Sequence, residues 1–143
     1  MVREPTHETL DLDVLWDLGE AIEDKCPDGI LTQAVLEDIA NAEAVPLAYV
    51  YVAAASDPEL RWVENTNAQV TVCAGSCQAY GACELLEKLL ELRKKDSLEF
   101  DVITVGCLDR CEQAIAVDLK TPAGAWAQAN LAPSDADAIV KAL

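Results

Sequence analysis

Four cysteines fall into two like-spaced pairs, Cys73-x3-Cys77 and Cys107-x3-Cys111, and each pair follows a β-branched run that reads as a strand. Four thiolates at the ends of two strands suit a metal. A [2Fe–2S] centre takes two thiolates on each iron, and a structural zinc ion takes four. Four-cysteine zinc sites commonly use tighter pairs as well as longer ones, so the x3 spacing argues weakly for iron and sulfide. A structural disulfide would need an oxidising compartment, of which the sequence carries no sign.

The flanks of these cysteines matter to their chemistry. Cys77 falls at the expected start of a long helix, where unpaired N–H groups favour a thiolate. Gly106 permits close backbone approach to a bound group, and Asp109 and Arg110 lie between Cys107 and Cys111. A guanidinium there should raise a cluster's potential and a carboxylate lower it. Cys83 lies six positions beyond Cys77, about 240° round a helix, and reads as a buried, inert thiol; the other reading makes it a substitute ligand. Cys26 reads as a packed residue. His7 is the only histidine, so histidine acid–base chemistry and a mixed histidine–cysteine cluster are both disfavoured.

The cysteines require a sheet to hold them, and the pattern after residue 67 supplies one. Gln69–Cys73 alternates as a strand, Gln78–Lys95 carries a leucine stripe as a helix, and Phe100–Val105 reads as a buried strand. Ala114–Lys120, the turn at Thr121-Pro122-Ala123-Gly124 and Ala125–Asn130 read as a hairpin. Ser134 and Asp137 have capping-box spacing at the start of a last helix. The class expected is α/β.

Residues 1–67 read differently. Leu12, Leu15, Leu18 and Ile22 recur at helical spacing after Asp11. Thr32–Ala42 and Pro46–Ala55 make two more helices, with Pro46 at the first helical position of the last. Asn65-Thr66-Asn67 reads as a boundary, giving a helical region 1–67 and a sheet-bearing domain 68–143. Three short helices make little core alone, so they are expected to pack on the sheet-bearing domain. Trp16, Trp62 and Trp126 read as packing residues.

Composition narrows the partners. The 143 residues are 52% hydrophobic and carry 26 acids against 10 bases, for a formal charge of −16. Residues 1–67 hold 15 of the acids and 3 of the bases. Nucleic acid and anionic membrane surfaces are poor partners for such a chain. The acid-rich region is either a solvated face or a docking surface for a basic partner. MVREPTHETL does not read as a secretory signal and no run approaches a membrane span, so a cytoplasmic place is expected, at most peripheral to a membrane complex. Neither a P-loop nor a dinucleotide fingerprint is present.

Val72-Cys73, Cys77-Gln-Ala-Tyr-Gly81-Ala82 with its leucine-rich helix, and Gly106-Cys107-Leu108-x-x-Cys111 together resemble the thioredoxin-like [2Fe–2S] ferredoxins. Ala34–Tyr51 resembles the helical part of one branch, the small iron–sulfur subunit of NADH dehydrogenases, NAD-reducing hydrogenases and formate dehydrogenases. The chain departs from that branch in three places. It has three residues, not four, between the first two cysteines, Ala114-Ile115 where Ala-Pro is typical, and Val52–Ser56 in place of a glycine-led aromatic run. The resemblance implies a thioredoxin-like [2Fe–2S] domain behind a helical N-terminal region, with Cys73, Cys77, Cys107 and Cys111 as ligands. It further implies electron transfer beside a flavin-containing NAD(P)H dehydrogenase subunit or another redox protein, with no catalysis by this chain alone. A free-standing ferredoxin shuttle and a zinc-bound or metal-free structural subunit are the alternatives.

Overall fold

The computed structural model describes residues 9–57, 59–62, 68–95, 100–106, 108 and 114–143. Three helices lead. Helix α1 (Leu12–Lys25) begins at Asp11, whose carboxylate accepts from the Asp13 N–H at 2.7 Å, the side-chain cap that unpaired first-turn donors need. Thr32 caps α2 (Gln33–Glu43) in the same way, accepting from Val35 N–H at 3.2 Å. Pro46 is the N-cap of α3 (Leu47–Ala55) and not its first residue, because its extended ψ of 142° keeps it outside the helix. Two-residue strands β1 (Ile30–Leu31) and β2 (Arg61–Trp62) pair in parallel across these helices.

The sheet is built from β3 (Gln69–Cys73), β4 (Asp101–Val105), β5 (Val117–Thr121) and β6 (Gly124–Gln128) in the order β4-β3-β5-β6. β3 and β4 are parallel, joined through α4 (Ala82–Lys95); β5 and β6 form the antiparallel hairpin, and α5 (Ala136–Lys141) closes the chain. Parallel neighbours need such a crossover, whereas the hairpin needs only the two residues between its strands. Helices plus a mixed sheet make this an α/β protein. β5 starts three residues later than the alternation suggests. Ile115 instead exchanges backbone hydrogen bonds with Leu131, at 3.4 and 3.2 Å.

Alternation decides which sheet face is covered. Val70, Val72, Val102, Thr104, Val117 and Leu119 are buried, while Thr71, Ile103 and Asp118 between them are half-buried. Thr104 donates to the Tyr51 carbonyl oxygen at 2.6 Å, fixing α3 to the covered face. Helix α3 is apolar on nearly every side, as a helix enclosed by others must be. It touches α1, α2, α4 and β4. One hydrophobic core therefore runs through the leading helices and the sheet. The expected boundary at Asn65–Asn67 lies outside the described residues.

Several expectations change. Leu18 and Ile22 carry α1's buried face, Leu15 is half-buried, and Leu12 is 81% exposed, so the apolar stripe is shorter than its spacing implies. Trp62 does pack, stacking on Tyr51 with ring centroids 5.2 Å apart, but Trp16 and Trp126 are exposed. The last helix opens with a 3₁₀ turn at Pro133–Asp135, and Asp135, not Asp137, reaches back to accept from Ala132 N–H at 2.7 Å. Among the described residues no helix is long and apolar enough to cross a membrane.

Candidate metal centre

Cys73 is the last residue of β3, the strand flanked by both β4 and β5. Its N–H donates to the Ala116 carbonyl at 3.1 Å, and the next N–H, on Ala74, donates to Val105 at 2.8 Å. The start of the first cysteine loop is thus pinned from both neighbouring strands. The chain then enters a 3₁₀ turn at Ser76–Tyr80 that contains Cys77, and Gly81 breaks it from α4 with φ +100°. That backbone conformation suits glycine and explains why the long helix starts at Ala82 and not at Gln78. Cys77 accordingly does not sit at the N-terminus of α4.

The sulfur of Cys73 is nonetheless in surroundings that favour the anion. The Cys77 side chain hydrogen-bonds to it; burial opposes ionisation, and the backbone N–H groups of Gly75, Leu108 and Cys77 favour it. The net effect holds the Cys73 thiol at about 6. Hydrogen bonds to the charged form produce such a shift in a buried group. As a thiol it also makes a long contact, 3.9 Å, with the Gly106 carbonyl oxygen.

Two of these contacts come from the second cysteine loop. Leu108 follows Cys107 directly, and Gly106 precedes it. A Cβ added to Gly75 would fall inside the Gly106 carbonyl group, so the two loops meet at a distance that only a glycine allows. Gly106 in turn lies near the end of α3, where a Cβ would meet the Ala55 carbonyl oxygen at 3.4 Å. The run Val52–Ala54 before it is buried. Val52–Ala54 therefore pack inward and the Ala55 carbonyl lies beside Gly106, while Ser56 is exposed.

The structure brings Cys73 and Cys77 together, both buried. Cys107, Cys111, Asp109 and Arg110 lie outside the described residues. Among the described residues no three His, Cys, Asp or Glu side chains gather as a metal site. Cys83, on the first turn of α4, is pushed up to about 12 by burial and by Glu87 and Glu84. A thiol held neutral in this way is a poor metal ligand. Cys26 caps α1, buried, with its thiol raised by burial and Asp28.

Sequence reasoning passed over Gln78. Its buried side chain donates through Nε2 to the Ala74 carbonyl at 2.7 Å and accepts through Oε1 from the Leu10 N–H at 3.0 Å. One amide thus ties the first cysteine loop to the chain entering α1. A glutamine next to a candidate ligand was the available signal. Arg93, near the end of α4, is buried, donating to the Tyr51 hydroxyl at 3.3 Å and the Phe100 carbonyl at 3.5 Å.

No protein-family model matches the chain, and no curated protein is significantly similar to it.

Proposed function

We propose that the chain is a one-electron carrier, with Cys73, Cys77, Cys107 and Cys111 holding a [2Fe–2S] cluster. The observation that carries this reading is the close approach of the two cysteine loops, where a Cβ on Gly75 would overlap the Gly106 carbonyl. The Cys77 side chain and the backbone N–H groups of Gly75, Leu108 and Cys77 favour the Cys73 anion there. Backbone donors around sulfur are what a buried anionic cluster needs. The β–α–β unit followed by a hairpin and a closing helix, in the order β4-β3-β5-β6, is the arrangement expected of a thioredoxin-like fold and supports the same reading.

When bound, the cluster would supply reversible uptake of one electron. The chain's own residues set its surroundings. Burial at Cys73 and Cys77 disfavours added negative charge, and the N–H donors offset that cost, so the two act in opposite directions on the potential. The chain would serve as the small subunit of an NAD(P)H-linked oxidoreductase, beside a flavin-containing subunit in the cytoplasm, and would make or break no bonds itself.

Anaerobic purification tests this. About two irons and two acid-labile sulfides per chain are expected, with a coloured protein, both lost in Cys73→Ser and Cys111→Ser. Zinc in a colourless protein would overturn the reading. A co-purifying flavoprotein would identify the subunit role, and a monomer reduced by several donors would identify a shuttle.

A further inference from the structure

Helix α1 exposes an apolar ridge among the described residues. Leu12 is 81% exposed and Trp16, one turn on, 69% exposed. Gly19, the next residue along the ridge, has nothing within 4 Å of the place a Cβ would take. Glycine inside a helix is disfavoured relative to alanine. No contact among the described residues accounts for that cost, whereas close approach by another molecule would.

Acids flank the ridge. The Trp16 indole N–H donates to the Glu20 carboxylate at 2.8 Å. Beside it runs an open groove of about 340 Å³ between α1 and α2, lined by the carboxylates of Asp17, Glu20, Asp24 and Glu43 with Lys25 as the one cation in that lining. The ridge is also joined to the cysteine loop. Leu10, two residues before Leu12, donates its N–H to Gln78, the neighbour of Cys77.

We infer that the Leu12–Trp16–Gly19 ridge and its acidic groove form the docking face for a redox protein with a basic surface around an apolar recess. Charge selects this occupant. A second copy would set acidic groove against acidic groove on a chain of formal charge −16, while lysines or arginines ringing a recess would enter the groove as the recess receives Trp16. The word redox rests on the electron-carrier reading; the face does not.

The test uses the full chain, iron-loaded and metal-free, with cytochrome c as the basic redox probe. Titrations at low and moderate salt should show binding that weakens as salt rises. Trp16→Ala should weaken binding about tenfold. Gly19→Gln should do the same while leaving the melting temperature unchanged or raised, because the space is open in the free protein. Neutralising Glu87 and Glu91, exposed on α4, should change affinity by less than about twofold. The inference is overturned if cytochrome c does not bind at low salt, if the ridge variants bind as the parent does, or if the α4 control weakens binding equally. It is also overturned if sedimentation finds a homodimer that Trp16→Ala dissolves. Binding at the ridge without electron transfer would support the face and count against the electron-carrier reading alone.

Discussion

Cys73 and Cys83 are ten residues apart and both buried, yet one thiol is held at about 6 and the other pushed up to about 12. Burial penalises both anions. What separates them is the surroundings: a neighbouring thiol and three backbone N–H groups at Cys73, two carboxylates at Cys83. A strand end that opens into a loop presents N–H groups, whereas the wall of a helix has spent its own on internal hydrogen bonds. Position in the fold, rather than depth, decides which sulfur can serve as a ligand.

Alkylation of the metal-free protein is the strongest way to break this contrast. At pH 7 the two thiols should differ by about five orders of magnitude in thiolate fraction. The lower intrinsic nucleophilicity of the more acidic thiol removes about two to three of those. Iodoacetamide mapping by mass spectrometry should therefore find Cys73 modified about a hundredfold faster than Cys83. Equal rates would show that the N–H donors do not act on the Cys73 sulfur.

Gly75→Ala attacks the same contrast through geometry. Its Cβ would overlap the Gly106 carbonyl, so the cysteine loops must part. A cost of about 3 kcal/mol in urea unfolding is expected. Iron content should fall severalfold while far-UV circular dichroism keeps the helical signal. Full iron content would mean that the loops need not touch. Gln78→Leu should cost less, about 2 kcal/mol, by leaving the Ala74 carbonyl and Leu10 N–H without the amide. An unchanged midpoint in urea would show that this amide does not join the loop to α1.

How much of this could be read beforehand depended on how local each cause is. Strand β3 was legible to its last residue, since Gln69–Cys73 alternates and ends at a cysteine. The body of α4 was legible because Leu85, Leu86 and Leu89 share its core face. Its start was not: the residues on either side of Gly81 all suit a helix, and only the positive φ of that glycine separates the 3₁₀ turn from α4. The β1–β2 pair is too short to carry a period, and its partners are distant in sequence. Leu12 has the spacing of a core residue, but at about 100° per residue it lies about 60–120° round the helix from Leu15, Leu18 and Ile22, which face the core. That Cys73 and Cys77 come together was visible in their spacing, while Cys107 and Cys111 lie outside the described residues. The Leu108 and Gly75 donors were not visible, because loop backbone direction leaves no mark on residue type.

Cys83→Ala sharpens the contrast from the other side and should have the smallest effect, about 1 kcal/mol for a buried sulfur replaced by a methyl group. Its signature is in the pH dependence of the metal-free protein. The folded-state value of Cys83 lies above the ordinary 9.0, so its contribution to stability is fully present below pH 9 and is lost as pH rises towards 12. Cys73 runs the other way: its value is depressed, so its contribution is present above pH 9 and lost as pH falls through about 6. Removing Cys83 should therefore flatten the alkaline limb of the stability profile and leave the acid limb alone. Tyr49 is raised by burial first and then by Cys83, so part of its own alkaline contribution should disappear with the thiol. Iron content should stay at the parent value. If it falls, Cys83 takes a ligand position, and a carboxylate-flanked sulfur on a helix wall would have to ionise against both of its neighbours.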